Sequence, residues 1–87
     1  VYGKQNRDRA GIEMKEQIVD LQGLNCPMPI LKTKQALMRA ESGERLRVLA
    51  TDPHSEVDFK AYLARTEHKL LEFNEENGVF TFLIEKA

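Results

Sequence analysis

Hydrophobic and polar residues along this chain form short blocks whose spacing alternates between two residues and about 3.6 residues. A period of two predicts β-strands at residues 17–21, 45–50, 70–74 and 79–85. Helical spacing predicts two helices, at residues 30–39 and 54–65. The order βαβαββ predicts an α/β fold, specifically a two-layer α+β sandwich with a mixed four-stranded sheet and both helices on one face.

The apolar positions within these blocks predict which faces meet the core. They are Ile30, Leu31, Leu37 and Met38 as a broad arc of the first helix, Phe59, Tyr62 and Leu63 on the second, and Phe80, Phe82 and Ile84 on the last strand. Asn77-Gly78 separates the last two strands, and Asn-Gly is a strong signal for a β-hairpin turn.

The start of the chain differs from the remainder, because residues 1–13 show neither period. We interpret residues 1–13 as a disordered extension or a leader added during cloning, and we expect the folded domain to span residues 14–87.

Charge and composition exclude several classes of protein. The sequence has 13 Lys and Arg against 14 Asp and Glu, a net charge of −1, which argues against a general nucleic-acid or membrane-surface binder. No apolar run approaches the roughly 20 residues that span a bilayer. The single cysteine cannot form an internal disulfide, which suits a reducing compartment. We therefore expect a cytoplasmic protein with no direct nucleic-acid partner and no membrane segment.

Cys26 lies where the first strand turns into the first helix, within the segment Leu-Asn-Cys-Pro-Met-Pro-Ile-Leu at residues 24–31. Proline is tolerated in the first turn of a helix, so Pro27 and Pro29 predict a helix start with Cys26 at its cap. A thiolate there faces the positive end of the helix dipole, which lowers the pKa of a cysteine. We interpret Cys26 as a reactive thiol, and a small buried cysteine is the alternative.

Asp52 occupies the corresponding position before the second helix, where it is followed by Pro53. If the first two strands are parallel neighbours, both helices begin at the same edge of the sheet. Asp52 is then either an ordinary helix cap or a partner that accepts a hydrogen bond from the Cys26 thiol or from a loop amide. Because a nearby carboxylate opposes a thiolate, the sequence leaves the direction of the Cys26 pKa shift open.

Two stretches of the sequence resemble the TusA-type, or SirA-like, sulfur carrier proteins. They are Leu-Gln-Gly-Leu-Asn-Cys-Pro-Met-Pro-Ile-Leu-Lys-Thr-Lys-Gln-Ala-Leu at residues 21–37 and Thr-Asp-Pro at residues 51–53. The resemblance covers residues 16–87. It implies that Cys26 accepts sulfane sulfur as a persulfide and relays it to a partner protein. From their places at the two helix starts, we interpret Pro27, Pro29 and Asp52 as supporting residues of that site. It also implies a fold like that of the C-terminal domain of translation initiation factor three.

The partners implied by the resemblance are a protein sulfur donor, such as a cysteine desulfurase or a rhodanese-like protein, and a protein sulfur acceptor. Members that serve tRNA thiolation usually carry an acidic residue between the two prolines, where this chain has Met28. The pathway therefore stays open, with tRNA thiolation, molybdenum-cofactor assembly and sulfur oxidation as candidates.

Several further residues are candidates with ordinary alternatives. Lys32 or Lys34 either guides an acidic partner or stabilises the persulfide anion; the alternative is that both extend along the surface, as most lysines do. Met28 is either an adaptable docking contact or a plain surface residue. His54 and His68 are scattered and offer no metal-site spacing, so we expect no metal and no cofactor.

Two other functions compete with the sulfur carrier. One is a non-catalytic protein-binding or regulatory module in which the Cys-Pro-Met-Pro segment is structural. The other is a thiol redox enzyme, which is disfavoured because the sequence has no resolving cysteine.

Overall fold

The computed structural model describes residues 16–87. Its elements are β1 (Glu16–Leu21), α1 (Met28–Arg39), β2 (Arg45–Ala50), α2 (Ser55–Ala64), β3 (Lys69–Glu76) and β4 (Val79–Glu85). The strands form one sheet in the order β1-β2-β4-β3, in which β1 and β2 are parallel and the other neighbours are antiparallel. The predicted βαβαββ order and mixed sheet are confirmed. The proposed extension at residues 1–13 lies outside the described residues.

The core lies between the two helices and one face of the sheet. Phe59 of α2 and Phe82 of β4 are fully buried, and their rings stack with centroids 4.3 Å apart and planes 13° apart. Such aromatic pairs add to the free energy gained by burying their area. The inward residues of the two central strands are also buried, as their alternation predicts: Leu46, Val48, Ala50, Phe80, Phe82 and Ile84.

Helix α1 packs on the sheet through a narrower face than its apolar residues predict. Its buried residues are Pro29, Thr33, Ala36 and Leu37. Leu31 and Met38 are 43% and 80% exposed, so their assignment to the core was wrong. The helix turns by roughly 100° per residue, which puts both residues roughly 180° from Pro29. Leu37 is therefore the large apolar side chain on the buried face, beside Pro29, Thr33 and Ala36, whereas Leu31 and Met38 face solvent.

The hairpin between β3 and β4 has the turn that its sequence predicts. Asn77 and Gly78 have φ values of 54° and 82°, and two consecutive residues with positive φ match the twist of antiparallel strands. Glycine carries no Cβ and adopts such a φ without strain, which accounts for its place in this turn.

Strand β3 contains an irregularity that the sequence pattern did not predict. The pairing with β4 shifts between Leu70 and Glu72, so Leu71 is an extra residue in the strand. As a result Leu70 pairs with Ile84 and Phe73 pairs with Phe82, and both β3 residues pack against the core.

The parallel pairing of β1 and β2 determines where the two helices begin. Because parallel strands have their carboxyl ends at the same edge of a sheet, residues 22–27 before α1 and residues 51–54 before α2 lie at one edge. In open α/β sheets this edge is the usual position of a binding or catalytic site. Within residues 16–87, no helix has both the length and the apolar character that crossing a membrane requires.

Candidate functional site

Two hydrogen bonds join the loops that precede α1 and α2. The Gly23 amide donates to Thr51 Oγ1 at 2.9 Å, and the Cys26 amide donates to Asp52 Oδ2 at 2.8 Å. Each bond links residues that are far apart in the chain, so the two loops hold one another in place. The structure thereby brings together Cys26 and Asp52, the two helix-start residues that the sequence singled out.

Cys26 is an exposed free thiol on this edge. It was predicted to cap α1, but the cap is Pro27 and the helix begins at Met28. The Cys26–Pro27 peptide bond is cis. Pro29 lies in the first turn of α1, as proline at a helix start predicts, and its side chain is buried. The thiol therefore lies just before the helix, on the residue that precedes Pro27.

Asp52 contacts Cys26 instead of capping α2. The cap of α2 is His54, which forms no capping hydrogen bond through its side chain. Asp52 Oδ1 accepts a long hydrogen bond of 3.4 Å from the His54 amide, while its Oδ2 accepts the Cys26 amide. Of the two interpretations of Asp52, the structure contains the contact with a loop amide.

Asp58, which the sequence analysis did not single out, contacts the thiol itself. Cys26 Sγ donates to Asp58 Oδ2 at 3.5 Å, a distance suited to a hydrogen bond from sulfur. Asp58 lies in the first turn of α2, where acidic residues are common because they interact favourably with the helix dipole. Its residue type and position therefore carry no specific signal, and its contact with Cys26 follows only from the folded arrangement.

The surroundings of Cys26 favour the protonated thiol. Partial removal of water, the hydrogen bond to Asp58 and the negative charges of Asp58 and Asp52 raise the pKa of Cys26 above its ordinary value. This resolves the direction that the sequence left open. Helix α1 begins at Met28, two residues farther along the chain than Cys26.

The three candidate contact residues of α1 differ in their surroundings. Met28 is 39% exposed beside the thiol segment, and Lys32 is exposed on the helix surface. Lys34 Nζ lies 5.0 Å from the centroid of the Tyr62 ring, an ordinary cation–π contact. Within residues 16–87, neither lysine forms a hydrogen bond or an ion pair with Cys26 or Asp52.

The histidines occupy different environments. His54 is exposed at the start of α2, whereas His68 Nδ1 accepts a hydrogen bond from the Ala87 amide at 3.0 Å. In the part of the chain that the structure describes, no group of three or more His, Cys, Asp and Glu residues could hold a metal ion.

Comparison with known proteins places the chain in a family. Residues 17–86 match the family described as Sulfurtransferase TusA. The chain is 49% identical over 72 residues to the sulfur carrier protein TusA of Allochromatium vinosum, which covers 83% of this chain and 95% of the relative. It is 43% identical over 72 residues to a putative sulfur carrier protein of Neisseria meningitidis, covering 83% and 97% of the two chains.

A solved structure supports the same assignment. The crystal structure of a SirA-like protein from Desulfitobacterium hafniense matches with a TM-score of 0.68 and 25% identity, covering 80% of this chain and 96% of that chain. The resemblance inferred from the Cys-Pro-Met-Pro segment is confirmed. The chain belongs to the TusA sulfurtransferase family.

Proposed function

We propose that this protein is a sulfur carrier that holds sulfane sulfur as a persulfide on Cys26 and passes it to a partner protein. The observation that carries the proposal is the exposed thiol of Cys26 at the shared edge of the two helix starts. The names of the relatives, which are sulfur carrier proteins, support it. Cys26 is the single cysteine of the sequence, so no other thiol in it could carry the sulfur.

Loading is an exchange between sulfur atoms. The Cys26 thiolate attacks the terminal sulfur of a donor persulfide, forming a bond between Sγ and that sulfur. The donor's own sulfur–sulfur bond breaks, and the donor leaves as a thiolate. One sulfur–sulfur bond forms as another breaks, so the step needs no oxidant and no reductant.

Delivery repeats the exchange in the other direction. A thiolate of the acceptor protein attacks the terminal sulfur, and Cys26 leaves as a thiolate. A second cysteine nearby would intercept the persulfide by forming an internal disulfide and releasing sulfide. With one cysteine in the sequence, this loss within the chain does not arise.

The surface around the thiol suits a protein partner. Met28 offers an exposed, adaptable apolar contact next to the reacting sulfur. Helix α1 carries Lys32, Lys34 and Arg39 and no acidic residue, which favours an acidic surface on the donor or acceptor. Lys32 is the better candidate for steering, because Lys34 already lies against Tyr62.

The proposed partners are a cysteine desulfurase or a rhodanese-like donor and a protein acceptor of a sulfur-trafficking pathway, with tRNA thiolation among the candidates. Pro27, Pro29 and Asp52 act by holding the segment that carries the thiol. Proline fixes φ, and the Asp52 carboxylate fixes the Cys26 amide.

Loading can be tested with a cysteine desulfurase and free cysteine as the persulfide donor. We expect the intact protein to gain the mass of one sulfur atom at Cys26, and cyanide or a reducing thiol to remove it. The matched control is Cys26→Ser, which keeps a side chain of similar size and should never acquire the sulfur.

Two results would contradict the proposal. One is a wild-type protein that stays unmodified while the desulfurase turns over. The other is sulfur that is gained equally by Cys26→Ser. Either would favour a non-catalytic binding module in which the Cys-Pro-Met-Pro segment has a structural role.

A further inference from the structure

We propose that Asp58 is a positioning residue for sulfur transfer, which holds the Cys26 thiol by a hydrogen bond and keeps the empty carrier in its protonated, slowly reacting form. This inference rests on the proposed function, since it assigns Asp58 a part in the same exchange. Its consequence is selective reactivity, because a protonated thiol reacts poorly with stray electrophiles before a donor protein is bound.

The geometry supports this role because two carboxylates contact Cys26, one at its amide and one at its thiol. Asp52 Oδ2 accepts the Cys26 amide at 2.8 Å, which fixes the backbone of the thiol segment. Asp58 Oδ2 accepts the thiol at 3.5 Å, which fixes the side chain. Asp58 is half-buried and belongs to a regular helix, so its carboxylate is held more firmly than one on a loop.

The charged groups that shift the pKa of the thiol are both negative. Asp58 of α2 and Asp52 of the loop before α2 are the charges that act on Cys26, and both favour the neutral thiol. Helix α1, the other element beside the thiol, has no acidic residue in its first turn. Its first cationic residue is Lys32, one turn into the helix. In the described part of the chain, no cation is paired with the thiol to offset the carboxylates.

Asp58 does not act as the base in the exchange. An ordinary carboxylate is a far weaker base than a thiolate, so the proton stays on sulfur when the two share a hydrogen bond. In the balanced step, the Cys26 thiol first loses its proton to solvent, its thiolate attacks, and the donor thiolate that leaves takes up a proton from solvent. Once loaded, Sγ has no proton to donate, and the negative charge of Asp58 opposes the persulfide anion. At equilibrium, this repulsion disfavours the loaded carrier relative to the free thiol.

A purely structural role for Asp58 makes a different prediction. Acidic residues in the first turn of a helix stabilise the helix through its dipole. Glu56 lies in the same turn of α2 and pairs with Lys60 at 2.8 Å, away from Cys26. Glu56→Gln is therefore a matched control, because it removes one charge from the same turn without touching the thiol.

The test measures the rate at which Cys26 reacts with 4,4′-dithiodipyridine, a neutral disulfide, as a function of pH. In Asp58→Asn, we expect the midpoint of the rate profile to move to lower pH. A shift of about one unit makes the thiolate about tenfold more abundant and about threefold less nucleophilic, so the rate at neutral pH rises about threefold. Glu56→Gln should match the wild type, and Asp58→Glu should restore most of the original midpoint.

The proposal is overturned if Asp58→Asn, with its fold verified by circular dichroism, has the same midpoint as the wild type and Glu56→Gln. If Asp58→Asn does not fold, Asp58→Ser is measured by the same criterion. Sulfur loading is followed separately by mass. A shifted midpoint in a protein that never loads sulfur would refute the carrier function and leave the role of Asp58 intact.

Discussion

At Cys26, the amide and the thiol donate to two different carboxylates, those of Asp52 and Asp58. Both carboxylates belong to the segment that leads into and begins α2. That segment therefore sets the backbone position of the reacting residue as well as the protonation of its side chain. The sequence could indicate Asp52, because Asp-Pro marks a helix start. It could not indicate Asp58, whose contact depends on how α2 lies beside the α1 loop.

Asp52→Ala removes the oxygen that accepts the Cys26 amide. We expect the unfolding free energy to fall by about 1 kcal/mol, the net value of one hydrogen bond. We also expect faster hydrogen exchange at the Cys26 amide, measured by NMR. Asp52→Asn retains an acceptor oxygen and serves as the control, with exchange close to that of the wild type. Identical exchange in all three proteins would mean that this bond does not hold the loop.

At the scale of elements, the carboxyl end of α1 is in contact with Lys86, a residue that follows the last strand. Lys86 Nζ donates to the carbonyl oxygens of Leu37 and Ala40 at 2.8 and 2.9 Å. The carbonyls at the end of a helix have no partner within it, and a cation there also interacts favourably with the helix dipole. One side chain thus ties the end of α1 to the end of β4.

Lys86→Met keeps most of the side-chain stem and removes the ammonium group. We expect a loss of about 2 kcal/mol in unfolding free energy, as for hydrogen bonds that involve a charged group, measured by urea denaturation. Lys69→Met, at an exposed lysine that begins β3, is the control and should change stability by less than about 0.5 kcal/mol. Equal effects of the two substitutions would show that Lys86 does not stabilise α1.

The sequence pattern predicted a strand correctly where one face of that strand is buried along its whole length. Leu46, Val48 and Ala50 alternate with more polar residues, and the structure buries all three. It failed for Leu31 and Met38, because hydrophobicity alone does not distinguish a core face from an exposed apolar one. The irregularity at Leu71 was also hidden, since an extra residue in a strand is visible only when the partner strand is known.

At the scale of the whole molecule, His68 links the start of β3 to the residues after β4 by accepting the Ala87 amide. Partial burial and the positive charge of Lys86 lower the pKa of His68, and Glu67 opposes this only partly. The unfolded chain therefore binds a proton at His68 more readily than the folded protein does. Stability should be full above the ordinary histidine pKa and decrease as the pH falls below it.

We expect the unfolding free energy to drop as the pH falls from about 7.5 to about 5.5, because the unfolded chain binds a proton at His68 more readily than the folded protein does. Urea denaturation at the two pH values measures the change. His68→Gln should lose this part of the pH dependence, whereas His54→Gln, at an exposed histidine, should keep it. A pH dependence that is the same in both variants would rule out His68 as its source.

The position of β4 in the sheet has a consequence for biosynthesis. β4 follows the other strands in sequence, but it lies between β2 and β3. While residues 79–85 are still inside the ribosome, the nascent chain has an unfilled gap in its sheet and two unpaired strand edges. Phe59 of α2 stacks on Phe82 of β4, so α2 has no complete surface to dock on until then. The contact between Asp58 and Cys26 is therefore completed only after β4 has emerged, and a partly synthesised chain carries a cysteine without its carboxylate partner.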